Sequence, residues 1–123
     1  MVSVFALAAT LRASQATAPV NPVQADAASI AAGKKLYASN CASCHGEAGL
    51  GDGRAGKQLK PPPANLVDAT WLHGPADGDI FVVIRDGVND TGMKSFGSRM
   101  TPHQMWDVVN YLRSIGPDAP APR

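Results

Sequence analysis

The chain has 123 residues, a formal net charge of +1 and two cysteines. A length of this order predicts one small domain with tails rather than two domains. The near-neutral charge argues against a nucleic-acid-binding protein and gives no strong signal for a membrane surface. Both cysteines lie within one short motif, which leaves none for a structural disulfide elsewhere.

An apolar run over residues 2–11 opens the chain. It is too short to cross a bilayer, which takes ~20 residues. It suits the apolar region of a secretory signal, and residues 16–18 read Ala-Thr-Ala, the pattern of a cleavage site. No basic residue precedes the run and Pro19 follows the site, so a disordered tail is the alternative. Residues 1–25 are therefore predicted to be a signal remnant or tail, with a linker over 19–24.

A helix is predicted from residue 26 to about residue 39, because Asp26 or Ser29 can cap its N terminus. Gly33 inside this helix costs about 1 kcal/mol relative to alanine. That cost is understandable if a second helix crosses closely at Gly33. Four residues recur at helical spacing and form one stripe: Ile30, Gly33, Lys34 and Tyr37.

The sequence Cys-Ala-Ser-Cys-His at residues 41–45 is the attachment signature of a c-type haem. Cys41 and Cys44 are spaced one helical turn apart, so both thiols can add to the two vinyl groups of one haem. His45 then presents its imidazole to the iron. The motif predicts one covalent haem c with Cys41, Cys44 and His45 as cofactor-binding residues.

Two other kinds of site use closely spaced cysteines. A redox dithiol usually lies at the start of a helix in a βαβ context, and no β-rich pattern surrounds this motif. A structural zinc takes four Cys or His ligands, and only a remote His73 or His103 could complete such a set. Neither alternative requires a histidine directly after the second cysteine.

A glycine-rich loop and a proline run follow the motif. The loop is not a phosphate-binding loop, because Gln58 stands where serine or threonine is required. The run over residues 60–64 is stiff and cannot be helical. We predict that its backbone carbonyl, at Pro63 or alternatively at Pro61, accepts the Nδ1 proton of His45 and so orients the imidazole.

The C-terminal half predicts two further short elements and a loop. A helical turn is expected over residues 65–71, with Asn65 as its cap, and a helix over residues 77–86, with Gly87 just past its end. The polar loop over residues 89–99 contains one candidate sulfur ligand, Met93.

The last helix begins with Thr101 at the N-cap, Pro102 at the first position and Gln104 in a capping box. Gly116 and Pro117 end it. Residues 117–123 form a Pro/Ala-rich tail that we expect to be disordered. No convincing strand is found, so the chain is predicted to be all-α with its domain over residues 26–116. Five apolar residues recur along this helix: Met105, Val108, Val109, Leu112 and Ile115.

Residues 26–116 resemble the class I (mitochondrial-type) c-type cytochromes, particularly small bacterial ones with one haem. The resemblance implies an all-α cytochrome c fold of three to five short helices around one covalent haem, with the first and last helices crossing. It rests on these segments: Gly33-x-x-x-Tyr37, Cys41-x-x-Cys44-His45-Gly46, Gly51-Asp52-Gly53, Leu59-Lys60-Pro61-Pro62-Pro63-Ala64, Trp71-x-x-Gly74, Ile84-Arg85-Asp86-Gly87, Gly92-Met93 and Trp106-x-x-x-x-Tyr111-Leu112.

The resemblance also implies an iron ligated by His45 and Met93, the common pair in electron-transfer cytochromes c. One departure is that Lys94 follows Met93 where the family often has proline. It further implies that Gly33 and Tyr37 pack against Tyr111. Two methionines and two histidines compete with Met93 for the iron: Met100, Met105, His73 and His103.

The function implied is single-electron transfer between redox proteins through the haem edge, by a periplasmic electron carrier that is not an enzyme. The protein would be a monomer or a subunit of a respiratory complex. Alternatives are a cytochrome subunit or domain of a dehydrogenase, reductase or oxidase, and a haem-based sensor with a labile sixth ligand.

Two sets of side chains are expected around the haem. An apolar set would favour the reduced state, and a basic set would steer an acidic partner, unless it is an ordinary solvated surface. The apolar candidates are Phe81, Phe96, Ile84 and Leu112, and the basic candidates are Lys57, Lys60, Lys94 and Arg99.

Overall fold

The computed structural model describes residues 18–68 and 71–117. It contains four α-helices and one 3-10 turn, and the described residues form no strand, in agreement with the predicted all-α class. The elements are α1 (Ala27–Asn40), α2 (Ala42–His45), the 3-10 turn (Arg54–Gly56), α3 (Asp77–Asp86) and α4 (Pro102–Ile115).

Helix α1 begins where the capping residue predicts. The Asp26 carboxylate accepts the backbone N–H of Ser29 at 2.8 Å, so Asp26 is the cap and Ser29 lies inside the helix. The Ser29 side chain is buried and donates to the Asp107 carboxylate of α4 at 2.6 Å. The helix ends at Asn40, one residue beyond the predicted end.

The crossing of α1 and α4 explains the glycine inside α1. A Cβ atom at Gly33 would lie 2.5 Å from the backbone carbonyl carbon of Asp107 and 2.9 Å from the Cβ of Tyr111. Next to this contact, the rings of Tyr37 and Tyr111 pack with their centroids 5.3 Å apart. The predicted contact of the first and last helices is therefore present.

Residues 19–24, predicted to be a linker, instead pack along the helices. Asn110 of α4 donates to the carbonyl of Val23 at 3.2 Å and accepts from the Asn21 amide at 2.7 Å. A Cβ atom at Gly78 would lie 2.7 Å from the backbone nitrogen of Pro19. The predicted domain boundary at residue 26 therefore does not separate packed from unpacked chain. Residues 1–17, which hold the predicted signal, lie outside the described residues, as do residues 118–123.

Helix α4 supplies much of the core. Its capping box is present, because Thr101 accepts the N–H of Gln104 at 3.2 Å and the Gln104 side chain accepts the N–H of Thr101 at 2.9 Å. Trp106 stacks on Phe81 of α3 with ring centroids 4.1 Å apart. The buried core consists of Tyr37, Ile80, Phe81, Ile84, Phe96, Met100, Met105, Trp106, Val108, Val109, Tyr111 and Leu112.

The turn predicted at Asn65 has a different form. The Asn65 side chain accepts the N–H groups of Val67 at 2.9 Å and Asp68 at 3.2 Å. Residues 66–68 are bends rather than a helical turn, because an asparagine side chain can satisfy these donors without a helix. Residues 69 and 70 lie outside the described residues.

Helix α3 has the predicted bounds, and Gly87 follows it with φ 69°. Arg113 of α4 fixes the start of α3 by donating to Asp77 at 2.6 Å and to the carbonyl of Pro75. Among the residues described, no helix is long and apolar enough to span a membrane.

Candidate haem-binding site

The cysteine motif forms a single helical turn directly after α1. Cys41 donates its backbone N–H to the carbonyl of Tyr37 at 2.8 Å, which ends α1. The N–H groups of Cys44 and His45 then return to the carbonyl of Cys41 at 3.2 and 2.9 Å. This turn holds the two half-buried cysteines three positions apart, the spacing that attachment to both vinyl groups requires.

The imidazole of His45 has a defined orientation. Its Nδ1 lies 2.9 Å from the carbonyl oxygen of Ala64. A carbonyl oxygen can only accept, so Nδ1 carries the proton in this hydrogen bond and Nε2 is left with its lone pair. A neutral imidazole of this tautomer can bind a metal through Nε2.

The prediction that Pro63 or Pro61 accepts this proton is wrong. The Pro63 carbonyl faces Gly51 instead, where a Cβ atom would lie 2.7 Å from its oxygen. Successive carbonyls of an extended chain point in different directions, so a shift of one residue to Ala64 changes which of them faces the ring. Contact of Pro63 with the haem itself stays a prediction.

The glycine-rich loop packs directly against the motif. Gly53 and Gly51 donate their N–H groups to the carbonyls of Cys44 at 3.0 Å and His45 at 2.8 Å. A Cβ atom at Gly53 would lie 2.5 Å from the Cys44 carbonyl oxygen, so only glycine permits this approach. The buried Tyr37 hydroxyl adds a 2.6 Å hydrogen bond to the carbonyl of Gly46.

The Cys41 thiol differs from the nucleophilic thiol of a redox dithiol. Burial, with a smaller effect of the nearby Cys44, raises the pKa of the Cys41 thiol to about 11. Redox dithiols such as those of thioredoxin instead have a lowered pKa that favours the thiolate. The arrangement therefore does not match the dithiol alternative.

Met93, the predicted sulfur ligand, differs from the two competing methionines in its burial. It is half-buried in the loop after α3 and packs against the same core that Cys41 contacts. Its competitors Met100 and Met105 are buried in that core, with 6% and 2% of their surface exposed. Ligation of the iron by Met93 stays a prediction.

The two competing histidines are both exposed. His103 has 70% of its side chain exposed, and its Nε2 lies 3.6 Å from the Asp107 carboxylate. His73 is exposed in the loop before α3. Among the described residues, neither ring has a hydrogen bond to a backbone carbonyl such as the one that orients the half-buried His45.

The apolar and basic candidates around the haem differ in burial. Phe81, Phe96, Ile84 and Leu112 are all buried in the core. The basic candidates Lys57, Lys60, Lys94 and Arg99 are all exposed. Arg99 also lies over the ring of Phe96, 5.3 Å from its centroid.

Together these features fit a covalently held haem. The two cysteines share one helical turn, the imidazole has an available Nε2, and a glycine loop closes on the backbone of the motif. Residues 30–116 also match the family model described as "Cytochrome c".

The chain belongs to the cytochrome c family.

Relatives of this cytochrome include subunits of cbb3-type cytochrome c oxidases. The cbb3-type cytochrome c oxidase subunit FixP of Azorhizobium caulinodans is 33% identical over 86 residues, which is 68% of this chain and 26% of that protein. The corresponding subunit CcoP of Rubrivivax gelatinosus is 31% identical over 107 residues, which is 87% of this chain and 33% of that protein. The cytochrome thus spans a third or less of the length of these relatives.

Solved structures confirm the predicted fold. A chain of the reducing HAO-like protein complex of Kuenenia stuttgartiensis superposes with a TM-score of 0.71 at 26% identity, over 77% of this chain and 47% of that one. Cytochrome cL of Methylophaga aminisulfidivorans gives 0.61 at 22% identity, over 74% and 55%, which supports the fold alone. The predicted class I cytochrome c fold is therefore confirmed, and membership of the cytochrome c family confirms the predicted covalent haem c.

Sequence reasoning missed one partner of the site. Ala64 enters through its backbone carbonyl, which leaves no side-chain signature in the sequence.

Proposed function

We propose that this domain passes single electrons between redox proteins, with Cys41 and Cys44 attaching the haem and with His45 and Met93 as the two protein ligands that would hold its iron. The hydrogen bond from His45 Nδ1 to Ala64 carries the proposal, because it leaves Nε2 as the nitrogen available to iron. When bound, the haem supplies a one-electron iron couple.

The residues around the site have separate tasks in this function. Ala64 fixes the ring of His45 and increases its basicity as a ligand. Met93 would supply the second protein ligand to the iron, which would leave no position on the metal for a substrate. The buried side chains of Phe81 and Phe96 would keep water away from the haem. An apolar surrounding favours the less charged, reduced state of the iron.

The oxidase relatives suggest the setting. Because FixP and CcoP are oxidase subunits, we propose that the domain passes electrons within a respiratory complex or to one as a separate carrier. We also propose that the domain lies in the periplasm and acts as a carrier rather than as an enzyme by itself. The match over residues 30–116 supports a domain close to the predicted 26–116.

The four exposed basic side chains would guide an acidic partner toward the haem edge. Lys94 follows Met93 directly. Lys60 lies just before the three prolines that precede Ala64, whose carbonyl accepts the His45 proton. Positive charge at such positions raises the rate of encounter with a negatively charged partner.

A spectroelectrochemical titration of the purified holoprotein tests the proposal. We expect one reversible transition that fits a single electron, and a reduced form that does not bind carbon monoxide. Met93→Ala should open the sixth position and allow carbon monoxide to bind. Ready binding by the unaltered protein would contradict electron transfer through a six-coordinate iron and favour the sensor alternative.

A further inference from the structure

The segment that carries Met93 folds back onto the end of α3. Phe96 donates its backbone N–H to the carbonyl of Ile84 at 2.9 Å. The Ser95 hydroxyl donates to the carbonyl of Arg85 at 2.5 Å. The residues that come after Met93 are therefore tied to the last turn of the helix.

The residues before Met93 are held by the hydroxyl of Thr91. This hydroxyl donates to the carbonyl of Val88 at 2.8 Å and accepts the backbone N–H of Met93 at 3.1 Å. Val88 in turn donates its N–H to the carbonyl of Met93 at 3.1 Å. Both backbone polar groups of Met93 are thus engaged within residues 88–93. Thr91 is half-buried, which limits competition from water.

The backbone conformation on either side of Met93 has little support from residue type. Asp90 has a φ of 60°, a left-handed conformation that a residue other than glycine adopts only at a cost. Lys94 follows Met93 and lacks the ring with which a proline fixes its own φ. The backbone beside Met93 therefore depends on hydrogen bonds, and among those described Thr91 supplies the one from a side chain to Met93.

We propose that Thr91 is a positioning residue for the sixth ligand. Its hydroxyl holds the backbone of Met93 and so keeps the thioether available to the iron, the restraint that a proline at position 94 would otherwise provide. This inference rests on the proposed ligation by Met93.

The test is competition with imidazole in the oxidised holoprotein, because imidazole binds only when the methionine leaves the iron. Thr91→Val keeps the shape of the side chain and removes both hydrogen bonds. We expect imidazole to bind about three- to thirtyfold more tightly to this variant, the effect of losing one or two net hydrogen bonds. Thr91→Ser keeps the hydroxyl and should restore the original affinity.

Ser95→Ala is the matched control, because it removes a side-chain hydrogen bond from the same loop without touching the backbone of Met93. It should leave the affinity nearly unchanged. The exchange rate of the Met93 amide proton gives a second readout and should rise in Thr91→Val alone. Thr91→Ala replaces Thr91→Val in both assays if the valine variant does not fold.

The outcomes separate this inference from the proposed function. If the unaltered protein lacks methionine ligation, the proposed ligand pair fails and the role of Thr91 fails with it. If methionine ligation is present but Thr91→Val binds imidazole like the unaltered protein, the role of Thr91 alone is refuted. An equal change in Ser95→Ala would also refute it, because the effect would then belong to the loop in general.

Discussion

Replacement of Gly33 by alanine should destabilise the protein, although alanine is the better helix former. A Cβ atom at this position would lie 2.5 Å from the backbone carbonyl carbon of Asp107, whereas carbon atoms in contact prefer about 3.5–4.0 Å. The obstacle is backbone, which cannot rotate away as a side chain can. Helices α1 and α4 would therefore have to separate by about 1 Å, which weakens the packing of Tyr37 on Tyr111.

Two opposing terms set the size of this effect. Overpacking a tight contact costs about 1–3 kcal/mol, and the rigid backbone of Asp107 places this case near the upper end. Exchanging glycine for alanine within a helix stabilises the helix by about 1 kcal/mol. The net loss is about 2 kcal/mol, which corresponds to a fall in melting temperature of about 10 °C for a domain of this size.

Thermal unfolding of the holoprotein, followed by circular dichroism, measures the effect of Gly33→Ala. Ala31→Gly is the control, because Ala31 is exposed on the same helix and its replacement should cost only the helix preference, about 1 kcal/mol. If Gly33→Ala raised the melting temperature, alanine would be acting as it does at an open helix position. The close crossing of α1 and α4 would then be refuted.

Three further predictions concern charge and buried polarity. Burial raises the pKa of the Tyr37 phenol above its ordinary value, so ionisation of the phenol opposes folding. The free energy of unfolding should therefore fall as pH rises above 10, and in alkaline urea titrations Tyr37→Phe should lose less of it than the unaltered protein. Lys60 is exposed, and Lys60→Glu should slow oxidation of the haem by anionic ferricyanide at low salt and have little effect at high salt. If the variant and the unaltered protein were oxidised at equal rates at low salt, the basic side chains would be an ordinary solvated surface. Ser29→Ala removes the hydroxyl bonded to buried Asp107 and should cost about 1–3 kcal/mol in urea unfolding, whereas exposed Ser39→Ala should cost less than about 0.5 kcal/mol.

Features encoded by neighbouring residues could be predicted from the sequence. The capping box of Thr101 and Gln104 fixed the start of α4, because both partners lie within one turn. The cysteine motif predicted the cofactor, since its spacing is set by the haem itself. Gly33 indicated a helix crossing, because a glycine in a helix is costly unless something approaches closely.

Features that depend on distant contacts could not be predicted in the same way. The choice of Ala64 over Pro63 depends on the direction of one carbonyl in a stiff segment 19 residues from His45. Residues 19–24 were predicted to be a linker because the partners of Asn21 and Val23 lie on α4, 89 and 87 residues away. Such contacts leave no periodic pattern in the chain.

The prediction of a helical turn at Asn65 was wrong for a different reason. An asparagine that caps a helix and one that closes a turn both accept N–H groups two or three residues ahead, so the local sequence does not distinguish them. The backbone conformation of the residues after the asparagine decides between the two forms. Here residues 66–68 continue as bends.

The optical spectrum of the oxidised holoprotein tests the central claim most directly, because bound methionine gives the ferric haem a weak sulfur-to-iron band near the red end. Three proteins should be compared: the unaltered chain, Met93→Ala, and Met100→Leu as a control at a buried methionine of the core. Ligation by His45 and Met93 predicts that the band is present in the unaltered protein, lost in Met93→Ala and kept in Met100→Leu. A band that survives in Met93→Ala, or that is missing from the unaltered protein, would contradict it.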